Sequence, residues 1–240
     1  MESWLNCGVT AQTHWPHERK EVKYGGHTFV LMPKTSENSA SIHLEVSRLS
    51  VESGMTLVNR FLSALCWKCD EPAINHYGGS GNPIPVAVPK QHIPFGYSPT
   101  DAFPNEIFEI TDKRAKLAIA LYREGRSLDS VPFQFLSFFK ILNIFWKDNK
   151  VIENLRVTLP LITDNECQER IAEIQNEEGD PAKYLYVSGR CAVAHAFSEP
   201  IVDPDDVTDL HRLSKDLWLM RNLTAFLIKR EFGIQQSIWR

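Results

Sequence analysis

Arg190 and His195 are the two residues of this chain whose types and spacing best suit chemistry. They bound an apolar, helix-forming segment whose inner residues are Cys191, Ala192, Val193 and Ala194. A histidine titrates near neutral pH and can take or give a proton, while an arginine stays charged and can bind a phosphate through two parallel hydrogen bonds. Together they favour cleavage of a phosphodiester without a metal. A purely structural pair is the alternative.

Helix geometry complicates a site built from this pair. Five residues on an ideal α-helix separate two side chains by about 140° around the axis and about 7.5 Å along it. One chain is therefore poorly placed to aim both side chains at one phosphate. The long arginine side chain, or a helix that starts or kinks at Gly189, offers one solution. A site shared across a two-fold dimer axis, where two copies of the pair converge, offers another.

Composition and charge limit the class of protein. The 240 residues include 26 basic and 30 acidic side chains, a formal net charge of −4, so any contact with nucleic acid would use a local basic patch. No segment has the ~20 apolar residues that a membrane span requires. Five cysteines cannot all pair within one chain. We expect a soluble, cytoplasmic protein with reduced thiols and no membrane partner.

The first part of the chain has strand and turn signals. Val22–Tyr24 and Thr28–Leu31 flank Gly25-Gly26, which predicts a hairpin, and Ile42–Val46 alternates apolar and polar residues as a half-buried strand does. Thr56–Cys66 has the period of an amphipathic helix, which we expect to cover this sheet. The sequence predicts an N-terminal α+β region over residues 1–104.

Glycine and proline are frequent from Tyr77 to Pro104, which predicts a boundary without long regular elements, apart from a short strand at Val86–Val88. The composition of residues 105–240 predicts helices. The four expected before the last one are Asp112–Leu128, Pro132–Trp146, Asn165–Glu178 and Lys183–Phe197. The fold class is therefore α+β, with a small sheet and a packed helix followed by an all-α bundle.

The last predicted helix has marked ends. Asp203 is placed to cap it, Pro204 suits its first position, and Gly233 suits its end. Asp205 and Asp206 complement the positive end of the helix dipole. This acidic cluster is thus explained by helix capping, and we assign no metal to it.

Basic side chains on the predicted helices that precede the pair form a candidate RNA-binding patch or, alternatively, an ordinary solvated helix face. On an ideal helix four of them fall within an arc of about 140°, and Lys140 follows on the next helix; the four are Lys113, Lys116, Arg123 and Arg126. Asn143 lies in an apolar run, where a buried amide needs a hydrogen-bond partner. We expect it to orient Arg190 or His195, or to link two helices.

Three further motifs favour structural roles. Cys66 and Cys69 form a CxxC motif at the end of a helix without a second ligand pair, so packing is favoured over zinc binding or redox chemistry. The segment Gly78–Gly81 lacks the residues of a phosphate-binding loop and suggests a flexible turn. The aromatic run from Phe133 to Trp146 favours a core over base stacking.

Arg190-x4-His195 on a late helix resembles the signature of the HEPN superfamily. More segments resemble the methylamine utilization protein MauJ family, and with the helix at Leu57–Leu65 and the Gly78–Gly81 loop they cover most of the chain. These segments are Arg123-Glu124, Pro132–Asn143, Ser188–Ala196 and Val202–Asp206. Cys191 departs from the superfamily's nucleases, in which a polar, hydrogen-bonding residue often follows the arginine.

The resemblance implies a HEPN-like helical bundle, a homodimer through that bundle, and a metal-independent endoribonuclease without a cofactor. His195 would act on the ribose 2′-hydroxyl or the leaving 5′-oxygen, Arg190 would neutralise the phosphate, and Asn143 and Cys191 would support them. The cleaved partner would be RNA, and the protein a defence or toxin effector controlled by a trigger or a regulatory protein partner. The alternatives are a non-enzymatic nucleotide- or protein-binding module and an accessory protein of amine metabolism.

Overall fold

The computed structural model describes residues 3–11, 14–89, 103–104, 106–195, 200–203 and 205–236, with the backbone alone at residues 77 and 78. Two compact units divide the chain. One runs to Asp112 and takes in the end of the chain from Gln235, and the other comprises Lys113–Ile234. The first contains an antiparallel sheet and the second is helical, which confirms the α+β class. Among the described residues, no helix has the length and apolar character needed to cross a membrane.

The N-terminal unit contains a five-stranded antiparallel sheet in the order β2-β3-β4-β1-β5. Its strands are β1 (Trp4–Ala11), β2 (Lys20–Tyr24), β3 (His27–Met32), β4 (Ser41–Glu45) and β5 (Ala73–Asn82). The predicted hairpin is confirmed, because Gly25 and Gly26 join β2 to β3 with φ of 58° and 75°. Positive φ at both central residues is the geometry of a turn that matches the twist of paired strands.

Helix α1 (Val51–Cys69) packs on this sheet, as its apolar period predicts, although it starts five residues before Thr56. Ser50 caps it by accepting a hydrogen bond from the Ser53 amide. At Gly54 the helix approaches so closely that a Cβ atom would lie 2.6 Å from Cγ1 of Val46. The lack of a side chain at Gly54 therefore allows this close approach of helix and sheet.

Three predictions for this unit are wrong. The Gly78–Gly81 segment is part of β5, paired with β1, because glycine leaves no side-chain pattern that would mark a strand. Val86–Val88 forms no strand, although the Val88 carbonyl accepts a hydrogen bond from the Ser39 amide. Strand β4 is buried on both faces from Ser41 to Leu44: Leu44 lies near Gly54 of α1, and His43 bonds to Asn6, whose Oδ1 also accepts from the Val86 amide.

The helical unit follows the predicted pattern closely in its first half. Its helices are α2 (Lys113–Ser127), α3 (Val131–Phe145), α4 (Val151–Thr158), α5 (Asn165–Glu178), α6 (Pro181–Tyr184), α7 (Ala192–Ala194) and α8 (Val207–Phe232). A π-helix at Leu185–Cys191 connects α6 to α7. No helix was predicted from the sequence at α4. The predicted domain division after residue 104 stays a prediction.

Helix α8 starts later than its capping signals predict. Asp206, rather than Asp203, caps it by accepting a hydrogen bond from the Thr208 amide, and Asp203 instead accepts one from the Asp205 amide in the preceding turn. Both aspartates are good caps, so the sequence alone does not choose between them. The proposed first residue, Pro204, lies outside the described residues. The predicted end is confirmed, because Gly233 adopts a left-handed conformation with φ of 67°.

Candidate active site

The segment that carries Arg190 and His195 is not the regular helix predicted for Lys183–Phe197. Residues Leu185–Cys191 form a π-helix, α7 adds one short turn, and the helix ends at His195, whose φ of −132° and ψ of 128° are extended. The predicted end at Phe197 lies outside the described residues. A π-helix inserts an extra residue into a helical turn and frequently occurs at functional sites.

Gly189 accounts for the position of this widened turn. A Cβ atom at residue 189 would lie 2.4 Å from Cζ of Phe135 on α3, far closer than carbon atoms approach. The π-helix backbone therefore lies directly against the Phe135 ring, which is fully buried. Glycine is needed at this position because of the close approach between the two helices.

The π-helix brings the predicted pair together within one chain. Nη1 of Arg190 lies 3.3 Å from Nε2 of His195, and both side chains are half-buried. The separation expected for an ideal α-helix is therefore wrong here, because the π-helix and the extended residue His195 change the direction of both side chains. The geometric reason for requiring a dimer no longer holds. A dimer stays a prediction on other grounds.

The contact assigns hydrogen-bonding roles to the two ring nitrogens of His195. A guanidinium has only donors, so Nε2 of His195 accepts the hydrogen bond and the imidazole proton lies on Nδ1. In this contact the acceptor nitrogen of His195 is directed at Arg190. An anion that replaced His195 as the partner of Arg190 would free that nitrogen for proton transfer.

Two side chains hold Arg190 from the other side. Its guanidinium carbon lies 5.7 Å from the ring centre of Tyr186, a cation–π distance, and Nη1 lies 3.7 Å from Sγ of Cys191. Burial lowers the pKa of Arg190, but Cys191, Tyr186 and Asp148 together raise it by more. The guanidinium is therefore charged. Tyr186 in turn packs edge-on against Phe139 of α3, with ring centres 6.0 Å apart.

Residues 118–229 match a protein-family model described as methylamine utilization protein MauJ. The helical unit is similar to the MauJ family. The matched segment starts in α2 and ends in α8, so it contains Arg190 and His195, whereas Leu57–Leu65 and Gly78–Gly81 lie outside it. Comparisons with curated proteins and with solved structures gave no match.

Within the MauJ-like segment, a buried ionic network that sequence reasoning missed lies next to the π-helix. Asp216 on α8 is fully buried; its carboxylate accepts hydrogen bonds from Arg170 Nε and the Tyr184 hydroxyl, each at 2.9 Å. Burial raises the pKa of Asp216 above its usual value although Arg170 opposes this. On the same helix, Arg212 donates from Nη1 to the Ser188 carbonyl at 2.8 Å. Asp216 lies on the buried stripe of α8, a position where a charge signals a buried partner.

The supporting residues predicted for the pair have different surroundings. Asn143 is exposed, so the expectation of a buried amide is wrong: it lies on the solvent side of α3 while its neighbours Ile141 and Leu142 face the core. Cys191 is half-buried beside Arg190. Of the basic residues, Lys113 and Lys140 are exposed, whereas Lys116, Arg123 and Arg126 are half-buried and only partly solvated. Their role in binding RNA stays a prediction.

The aromatic run is a core in its central part. Phe135, Phe138 and Phe139 are buried, which confirms that prediction, and Phe138 packs where a Cβ on Gly125 of α2 would lie 2.8 Å from its ring. Phe133, in the first turn of α3, is 59% exposed, so the core prediction is wrong for this residue.

Burial disfavours the thiolate form of Cys7 and Cys69, two cysteines of the N-terminal unit. Burial, with Glu71 nearby, raises the pKa of Cys69 to about 12, and burial raises that of Cys7 to about 11. Thiolates that bind zinc or do redox chemistry need the opposite shift. Within the described ranges, no three His, Cys, Asp or Glu side chains are grouped to hold a metal ion. Zinc binding at Cys66 and Cys69 stays a question for metal analysis.

A second histidine cluster lies in the sheet of the N-terminal unit. His43 on β4 is fully buried, with Nε2 2.9 Å from Ser41 Oγ and Nδ1 2.7 Å from Asn6 Oδ1. Since an amide oxygen only accepts, Nδ1 of His43 carries the proton and Nε2 accepts from Ser41. The order of contacts is that of a serine hydrolase triad, but all three residues are buried. We interpret it as a structural cluster.

Proposed function

We propose that the helical unit is a metal-independent endoribonuclease of the HEPN type that uses Arg190 and His195. The observation that supports this proposal is the 3.3 Å contact between the two side chains, half-buried at the end of a π-helix. It combines a neutral imidazole with a fixed guanidinium, the groups needed to move a proton and to bind a phosphate.

The reaction is a transesterification. A phosphate oxygen of RNA replaces His195 as the partner of Arg190, and the released Nε2 removes the proton of the ribose 2′-hydroxyl. The 2′-oxygen attacks the adjacent phosphorus, and the bond from phosphorus to the 5′-oxygen of the next nucleotide breaks. The products are a 2′,3′-cyclic phosphate and a 5′-hydroxyl end. Arg190 stabilises the negative charge that grows on the phosphate oxygens.

A homodimer supplies the second proton transfer in this proposal. One His195 accepts the proton of the 2′-hydroxyl, and His195 of the partner subunit, in its protonated form, gives a proton to the leaving 5′-oxygen. The basic side chains of α2 and α3 guide the RNA backbone to the pair. The cell compartment is the cytoplasm, and the biological role is a defence or toxin effector in which the N-terminal unit, or a regulatory protein, restrains the nuclease.

The proposal is tested with the purified full chain and a set of structured and unstructured RNAs, in the presence of EDTA. Arg190→Ala and His195→Ala should each reduce cleavage by at least about 100-fold. His211→Ala removes an exposed histidine of the same unit and should leave cleavage unchanged. The products should carry a cyclic phosphate, and a 2′-deoxy residue at the cut position should block cleavage.

Intact RNA after incubation with wild-type protein, alone and with its copurifying partners, would rule out the nuclease. The non-enzymatic alternative is a nucleotide- or protein-binding module, favoured by the fact that the basic nitrogen of His195 is already occupied by Arg190. In that case titration calorimetry should detect nucleotide binding that Arg190→Ala weakens. A role in amine metabolism rests on the family description alone.

A further inference from the structure

Arg212 is the charged residue of α8 that contacts the backbone of the π-helix. Its Nη1 donates to the Ser188 carbonyl at 2.8 Å, two residues before Arg190 in the chain. The Arg212 side chain is 26% exposed and its Nη2 lies 3.8 Å from the Asp209 carboxylate, one turn earlier on the same helix. It therefore joins α8 to the segment that carries the candidate pair.

The π-helix has an irregular hydrogen-bond pattern at this point. The Ala192 amide donates to the carbonyls of Val187 and Gly189, on either side of Ser188. Arg212 supplies a donor to the carbonyl between them. Backbone carbonyls need partners wherever a helix departs from its regular ladder. A side-chain donor at Ser188 therefore stabilises the widened turn against a regular α-helix, which would separate Arg190 from His195.

The position of Arg212 is itself fixed by its surroundings. Tyr184, the last residue before the π-helix, donates its hydroxyl proton to Asp216, four residues after Arg212 on α8. Arg170 of α5 pairs with the same carboxylate. Both ends of the connection between α8 and the π-helix are thus held by buried or half-buried polar contacts.

We propose that Arg212 is a positioning residue that holds the π-helix register through the Ser188 carbonyl and thereby brings Arg190 and His195 into contact. Arg212 acts through the backbone and does not touch the reacting atoms. The predicted loss of cleavage rests on the proposed function, whereas the contact between Arg190 and His195 is measurable without any activity.

The test compares two variants of the full chain. Arg212→Met keeps an apolar stem without a donor, and Arg212→Lys keeps a charged donor. The readout is the ¹⁵N chemical shifts of the imidazole nitrogens of His195, assigned with His195→Ala. We expect Arg212→Met to remove the signature of an Nε2 that accepts from Arg190, and Arg212→Lys to retain it. Cleavage by Arg212→Met should show kcat lowered by about 10- to 100-fold with little change in KM.

Two controls separate this role from general effects. Lys215→Ala removes an exposed positive charge from α8, and Asp209→Asn removes the ion pair of Arg212 but not its contact with Ser188; both should keep wild-type His195 signals. Wild-type signals in a folded Arg212→Met variant would overturn the proposal. If Arg212→Met fails to fold, Arg212→Lys decides, since altered His195 signals there contradict the proposal and unchanged signals support it. If the wild-type protein does not cleave RNA, only the proposed nuclease function is contradicted. The positioning role of Arg212 is still tested by the His195 signals.

Discussion

The two histidine clusters of this protein contain the same imidazole tautomer in different surroundings. In both, Nδ1 carries the proton and Nε2 accepts, from Ser41 at His43 and from Arg190 at His195. His43 is fully buried in the sheet; Nδ1 donates to Asn6 of the neighbouring strand β1, and Nε2 accepts from Ser41 of its own strand β4. His195 is half-buried at a helix end, and its acceptor nitrogen faces the charged side chain of Arg190.

The difference shows that contact geometry alone does not identify a catalytic residue. The Ser41–His43–Asn6 cluster has the more complete hydrogen-bond chain, and the Val86 amide adds a further bond to Asn6 Oδ1 at 2.9 Å. Its function is to satisfy polar groups in a core, since every one of them would otherwise be buried without a partner. The Arg190–His195 pair is less complete, and an anion can replace His195 as the partner of Arg190. An incomplete, accessible pair is the better candidate for chemistry.

Alanine substitutions should give the largest contrast between the clusters. We expect His43→Ala to lower the free energy of unfolding by about 4 kcal/mol, because it creates a cavity and leaves buried polar atoms without their partner. His195→Ala should cost about 1 kcal/mol or less, since it removes one half-buried hydrogen bond. Denaturant unfolding followed by fluorescence and circular dichroism measures both. Similar costs for the two variants would contradict the distinction, and His211→Ala provides the surface reference.

Acid should destabilise the N-terminal unit through His43. Burial, and to a lesser degree the charge of Arg19, lowers the pKa of His43 from 6.5 to about 4. Between these values the unfolded chain binds more protons, so the free energy of unfolding falls as pH decreases. The stabilisation is complete above about pH 6.5, and about 3 kcal/mol of it is lost by about pH 4.

The comparison that isolates His43 is with His43→Gln, whose amide can donate and accept but does not titrate near neutral pH. Unfolding free energies of both proteins are measured from pH 7 to pH 4. The difference between them should decrease by about 3 kcal/mol as pH falls. A constant difference would show that His43 is protonated in the folded protein as easily as in the unfolded chain.

Much of the fold is readable from the sequence because local signals determine it. Gly25-Gly26 specifies its hairpin, the apolar period indicates α1, and composition indicates α2, α3 and α5. Local signals failed where glycine removes the pattern, as in β5, and where two good caps compete, as at Asp203 and Asp206. In both cases pairing with distant parts of the chain decides the outcome.

The candidate site was only half predictable. Residue types alone identified Arg190 and His195, but their contact depends on the π-helix, which in turn depends on Gly189 meeting Phe135 of another helix. No local pattern encodes that contact. Asp216 was not predicted, although a carboxylate at a core position of α8 indicates a buried cationic partner, here Arg170.

Gly189→Ala should have a smaller effect on stability than His43→Ala, but a specific effect on the pair. The new methyl group would lie within 2.4 Å of the Phe135 ring, and moving the two helices apart should cost about 2 kcal/mol. The displacement occurs one residue before Arg190, so the Arg190–His195 contact should weaken and RNA cleavage should fall by about 100-fold. Thermal unfolding and cleavage rates measure the two effects.

Gly125→Ala is the matched control, because its methyl group would lie 2.8 Å from the Phe138 ring between α2 and α3, the same kind of helix contact at another position. We expect a similar loss of stability with cleavage close to that of the wild type at a temperature where both variants are folded. If both variants lose cleavage equally, the pair responds to the general packing of the unit. If only Gly189→Ala loses cleavage, the π-helix itself sets the geometry of Arg190 and His195. The two histidine clusters then differ in local backbone structure, because His43 is held by the strands of a sheet and His195 by a π-helix.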